Sequence, residues 1–93
     1  MKLYKGMYII RPDLTEEQYK VVIEEINKIF TDNGSTITKL DVWGMRDLAY
    51  EIEDFRKGFY VVFLVDATPV AVAEYDRLAN IREDIIRHII VKE

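Results

Sequence analysis

The sequence predicts an α+β domain whose elements run β-α-β-β-α-β, with four antiparallel strands covered on one face by two helices. Three observations predict it. Two stretches set apolar residues at helical spacing behind a capping threonine. Four other stretches are rich in β-branched and aromatic residues. The chain has 93 residues, which suits one core, so residues 1–93 are read as a single domain.

Residues 3–10 form the first strand, which Arg11-Pro12 stops. Thr15 is placed to cap the first helix, and Gln18 completes a capping box with it. Leu14 and Tyr19 occupy the flanking staple positions. Tyr19, Val22, Ile23, Ile26, Ile29 and Phe30 then share one helical face. Charged residues take the other face, and Asn33-Gly34 ends the helix. A second strand covers 35–42. Ile37 and Leu40 break its alternation, which predicts a bulge, and Gly44 predicts a second bend before the strand resumes through Ile52. The segment "EDFRKG", 53–58, reads as a turn, and 59–67 is the most apolar strand. Thr68-Pro69 opens a second helix with Ala71, Tyr75, Leu78 and Ala79 on its buried face. That helix fades near Asn80, and residues 85–91 form the last strand. This order, at this length, is that of the ferredoxin-like split βαβ sandwich.

Alternation assigns the two sheet faces. In the third strand Phe59, Val61, Phe63, Val65 and Ala67 share one face, and Tyr60, Val62, Leu64 and Asp66 share the other. Asp66 and the Tyr60 hydroxyl mark the second set as outer. Lys5 marks Leu3, Met7 and Ile9 as outer in the first strand. The helices leave this outer face without cover. Its contiguous apolar group predicts either a partner surface or a loop of the same chain folded across it. In the second strand Arg46, Leu48, Tyr50 and Ile52 point one way, and Asp47, Ala49 and Glu51 the other. Arginine and aromatics in that pattern suit a binding surface, or a cross-strand pair in which Arg46 covers a ring.

Several functions are excluded or disfavoured. The formal charge is −4, which argues against nucleic-acid binding by this chain alone. The segment 13–32 holds six acids and two lysines, and the remaining eleven acids and eleven bases cancel, so a local basic patch elsewhere is open. No apolar run approaches the roughly 18 residues of a membrane span, and the N-terminus reads as a strand rather than a signal peptide. There is no cysteine, which fits a reducing cytoplasm. His88 has no serine, cysteine or second histidine nearby, and with scattered acids it is too weak for a metal site. No glycine pattern makes a phosphate loop. Arg11 follows the first strand as in acylphosphatase. However, Pro12-Asp13 removes an amide donor and adds negative charge, so neither an enzyme nor a cofactor is expected.

The motifs "MYIIRPDL", "NG", "WGMRDLAYEI", "DFRKGFY", "YDRLANI" and "DIIRHIIVKE", in this order, resemble the bacterial small-subunit ribosomal protein six family over essentially the whole chain. The resemblance implies a non-catalytic constituent of the small ribosomal subunit in the cytoplasm. It implies binding to the central domain of 16S ribosomal RNA, as a heterodimer with the small basic ribosomal protein eighteen of that subunit. Carried over residue by residue, it places RNA contacts at Lys2, Tyr4, Arg46, Tyr50, Arg87 and Lys92. Trp43 and Leu48, with the outer residues Tyr60, Val62 and Leu64, are candidate partner contacts. The family often has two adjacent basic residues where this chain has Arg46-Asp47, which lowers the expected intrinsic RNA affinity. The competing class is a self-associating or metabolite-binding regulatory ferredoxin-like domain.

Overall fold

The computed structural model describes residues 2–93. The elements run β1 (Lys2–Ile10), α1 (Glu16–Asp32), β2 (Thr36–Ile52), β3 (Phe55–Ala67), α2 (Pro69–Ile81) and β4 (Ile85–Lys92). The strands form one antiparallel sheet in the order β2-β3-β1-β4. This is the ferredoxin-like arrangement that the sequence predicts.

Local chemistry explains the helix ends. The Thr15 hydroxyl accepts from the Gln18 amide at 3.2 Å, and the Gln18 side chain accepts from the Thr15 amide at 2.9 Å. Two amides that no helical carbonyl can reach are thereby satisfied. At the other end the amides of Asn33 and Ser35 donate to the Phe30 carbonyl. The Thr68 hydroxyl caps α2 through the Ala71 amide, and Pro69 occupies the first turn, where its missing N–H costs nothing.

The core lies between the helices and the inner face of the sheet. Tyr8, Phe30, Phe63 and Tyr75 are its largest side chains, and each is essentially inaccessible. Phe30, Phe63 and Tyr75 sit with ring centroids 5.3 to 5.4 Å apart in tilted and edge-on contacts that suit aromatic quadrupoles. Tyr19 stacks on Phe59 at 4.0 Å and donates its hydroxyl to the Arg11 carbonyl. Leu14 packs against the same core.

β2 is where local pattern and structure part most. Its register against β3 shifts between Ile37 and Lys39 and again between Val42 and Gly44. The first shift is the expected bulge. Gly44, with φ of +79°, sits at the second and lets the strand bend there. A third shift, which the sequence reading lacked, lies between Asp47–Lys57 and Ile52–Phe55. It gives β2 three residues more than β3 between those two pairs.

The turn is also shorter than expected. Ile52 pairs with Phe55, so only Glu53 and Asp54 turn the chain, and both have positive φ. This is the two-residue hairpin geometry that normally recruits Asn-Gly. Residues 55–58, read from sequence as turn, extend β3 instead. Gly58 misled that reading because it serves packing. A Cβ there would lie 2.2 Å from Ile9 Cγ2.

The result is a hairpin arm, residues 48–57, that reaches across the outer face. Of the two expectations for this face, a segment of the same chain folded across it is met at one end of the sheet. Ile9 is an outer residue yet only 2% exposed, whereas Leu3 on the same strand and face is 43% exposed. The wet position assigned to Val62 is corrected, because it is 8% exposed.

Candidate nucleic-acid and partner interface

The outer face is built from alternate residues of all four strands. β3 contributes Tyr60, Val62 and Leu64, and β1 contributes Leu3, Lys5, Met7 and Ile9. The inward side chain of His88 turns Arg87, Ile89 and Val91 of β4 outward. Sequence reading placed Arg87 only through the family resemblance, and it missed Ile89 and Val91. Alternation around an inward-facing histidine is the signal that could have found them.

Trp43 stacks over Tyr60 with the rings 13° from parallel and 6.1 Å between centroids. The Arg46 guanidinium lies 5.5 Å from the Trp43 ring. Arg46 thus covers an aromatic ring of its own strand, β2, rather than one across a strand pair, and the cross-strand contact is Trp43 with Tyr60. Asp47 pairs with Lys57, one ladder position beyond the pair of Arg46 with Gly58, and so points to the opposite side.

At the far end of the face the arm meets β4. The Arg87 guanidinium donates to the Tyr50 hydroxyl at 2.5 Å and lies 5.9 Å from the centroid of that ring. Beneath the contact is a hollow of about 260 Å³, lined by Met7, Ile9, Leu48, Tyr50, Tyr60, Arg87 and Ile89 among others. A second arm contact puts Arg11 5.4 Å from the Phe55 ring.

Charge pairing separates these arginines from the rest. Arg11 is held by Asp13, Arg56 by Glu51, Arg77 by Glu74, and Arg82 by Asp84 and Glu25. Among the described residues, Arg46 and Arg87 are the two arginines without a carboxylate partner, and both lie against aromatic rings on the outer face. An arginine on a ring keeps its charge and most of its donors available, and it is held in one orientation.

The six RNA-contact candidates do not form one cluster. Arg46, Tyr50 and Arg87 share the outer face near the arm. Lys2, Tyr4 and Lys92 lie at the opposite end of the sheet, where Lys2 pairs with Ala67 and Tyr4 with Val65 and Lys92. Ala67 and Val65 are core residues, so this second group belongs to the helix side. Tyr4 is half-buried against the core, which leaves only part of its ring free to stack. Lys2 lies seven positions along β1 from Ile9, the pairing partner of Arg87, a span of about 23 Å. Of the partner candidates, Trp43 stacks on Tyr60 and shares a hollow with Leu64 over the nearly buried Val62, and Leu48 belongs to the arm beside them.

Other concavities have a different character. Hollows of about 420 and 490 Å³ open beside the helices, and Arg82 lines both. That arginine is already committed to Asp84 and Glu25, and Arg77 to Glu74, so the charged lining is largely self-neutralised. His88 faces the helices, 2.7 Å from Asp76 and edge-on to Tyr75. Arg11, the position that invites comparison with acylphosphatase, makes two hydrogen bonds to Asp13 at 2.7 and 2.9 Å. Among the described residues no cluster of His, Cys, Asp or Glu could hold a metal ion, and no helix is long and apolar enough to cross a membrane.

A split βαβ sandwich with two helices on one sheet face is a ferredoxin-like domain, and here the other face carries two uncommitted arginines and an aromatic stack. The match to known proteins makes this specific. The family model described as ribosomal protein S6 matches residues 3–92, and the chain belongs to that family. The crystal structure of 30S ribosomal protein S6 from Thermotoga maritima is similar throughout, with a TM-score of 0.94 and 29% sequence identity. The similarity covers 99% of this chain and 87% of that one.

Proposed function

We propose that this protein is a structural constituent of the small ribosomal subunit, with all 93 residues acting as one non-catalytic domain in the cytoplasm. It binds the central domain of 16S ribosomal RNA as a heterodimer with the basic ribosomal protein eighteen of that subunit. One observation carries this reading. Arg46 and Arg87, alone among the arginines of the described residues, have no carboxylate and stand on the outer face beside exposed aromatics.

Guanidinium groups in that state suit phosphate oxygens, and Tyr50, 62% exposed, suits ribose or base contact. Lys2 and Lys92, with the free part of the Tyr4 ring, extend the RNA contact to the other end of the sheet. Trp43, Leu48, Tyr60 and Leu64 supply the apolar contact for the basic partner, with the buried Val62 beneath them. A chain with net charge −4 gains little by meeting RNA alone, and a basic partner supplies the remaining neutralisation.

The test is binding of a 16S central-domain transcript by the purified chain, with and without protein eighteen, at physiological salt. Tight binding is expected only with the partner present. Replacing Arg46 and Tyr50 together by alanine weakens it at least tenfold, the scale of two lost polar contacts. Recovery of a homodimer that binds neither RNA nor protein eighteen would overturn the reading in favour of a self-associating domain.

A further inference from the structure

We propose that the β2–β3 arm is a strap that must lift from the sheet before Arg87 can meet RNA, so that strap closure and RNA binding compete. The inference rests on the reading of Arg87 and Tyr50 as RNA contacts and adds a conformational step to it.

The geometry of the strap carries the argument. Three extra residues in β2 interrupt the ladder between the pairs Asp47–Lys57 and Ile52–Phe55. Beyond that interruption one pair, Ile52–Phe55, closes the tip. Side chains therefore hold the arm down, and there are two clasps. One is the Tyr50 hydroxyl against Arg87 of β4, and the other is the Phe55 ring under Arg11. Glu51 and Arg56 pair with each other at 3.0 Å, within the arm, and so let it move as one piece. Beneath it the hollow of about 260 Å³ shows that the arm lies over Ile9 and Met7 without filling the space. Tyr50 itself is mostly exposed although its hydroxyl is engaged.

Competition follows from hydrogen-bond accounting. The Nη1 group that reaches the phenol is one of the donors a phosphate would take. An incoming phosphate must displace the phenol or accept a poorer geometry. Apparent affinity is then reduced by the fraction of molecules in the closed state.

Two variants test this with two readouts: amide hydrogen exchange over residues 48–57, and affinity for the 16S central-domain transcript with protein eighteen present. Tyr50→Phe keeps the ring and removes the hydroxyl that engages Arg87. Phe55→Ala removes the other clasp and touches no proposed RNA contact. Both are expected to speed exchange in the arm, and Phe55→Ala, which leaves every proposed RNA contact in place, to tighten RNA binding by up to about fivefold, the scale of one exposed cation–π contact. Faster exchange in Phe55→Ala with unchanged or weaker RNA binding overturns the competition. Unchanged exchange in both variants overturns the strap. Arg87→Ala separates this idea from the functional reading, because it opens the arm and weakens RNA binding together. If it opens the arm and leaves RNA binding intact, Arg87 is not an RNA contact. The strap then stands and the competition falls.

Discussion

Tyr8 and Tyr75 carry two hydroxyls into the same core. The Tyr75 hydroxyl lies 3.1 Å from the Met7 carbonyl and 3.4 Å from that of Ile89, which ties α2 to β1 and β4. The Tyr8 hydroxyl is buried and has no hydrogen-bond partner. A buried hydroxyl that loses its water and gains nothing is a net cost. Tyr8→Phe is therefore expected to stabilise the protein by about 1 kcal/mol, and Tyr75→Phe to destabilise it by about 1 kcal/mol. Urea denaturation of the two variants checks the opposite signs. Burial pushes both phenols well above the ordinary tyrosine range.

At the scale of elements, the arm's turn and its underside can be adjusted separately. Glu53 and Asp54 hold φ of 50° and 68°, a backbone that side chains without a stabilising contact adopt at a cost. Replacing the pair by Asn-Gly is expected to raise stability by about 1 kcal/mol, measured as a rise in thermal midpoint. On the underside, Gly58→Ala drives a methyl against Ile9 Cγ2, on a stiff β-branched side chain with little freedom to move. It is expected to cost about 1–3 kcal/mol and to leave the two helices unaffected by circular dichroism.

These elements differ in how far they could be read from sequence. The Thr15 and Thr68 caps were legible because partners three residues apart meet in any helix. The bulge between Ile37 and Lys39 was legible because it breaks a period of two. The arm was not, since its clasp joins Tyr50 to Arg87 across 37 positions and no local pattern encodes that. The turn was misplaced for a related reason. Its glycine signal, Gly58, answers to a side chain on β1, while the turn proper is Glu53-Asp54 and contains no glycine. The candidate site divides in the same way. Alternation put Tyr60, Val62 and Leu64 on the outer face. It could not show that Arg46 and Arg87 lack carboxylates, because that depends on where every acid lands.

For the whole molecule, the titrating groups define a pH window. Tyr8 and Tyr75 are neutral in the core with raised pKa values, so their contribution is complete below about pH 10 and is lost as pH rises further. The hydrogen bonds from Arg82 hold the Asp84 carboxyl below its usual range. Its contribution is present above about pH 4 and is lost as pH falls through the lowered value. A plot of urea midpoint against pH should be level between these limits and fall on both sides. The alkaline fall should be shallower in Tyr8→Phe, and the acid fall shallower in Asp84→Asn. A midpoint that holds steady above about pH 11 would contradict the role given to the two phenols.

The neighbours of β1 have a consequence in time as well as in space. β1 leads the chain and pairs with β4, which closes it, so that Tyr4 meets Lys92 and the Glu93 amide donates to the Leu3 carbonyl. The sheet is sealed by the contacts most distant along the sequence, and the entropy of closing that long loop must be met before they form. Arg46 lies on β2 and Arg87 on β4, the two edge strands of the sheet, and β4 pairs with β1 alone. A chain still emerging during synthesis, or one with β4 undocked, can therefore display one of its two uncommitted arginines but never both in register. Display of both arginines on one sheet face thus reports that β4 is in place.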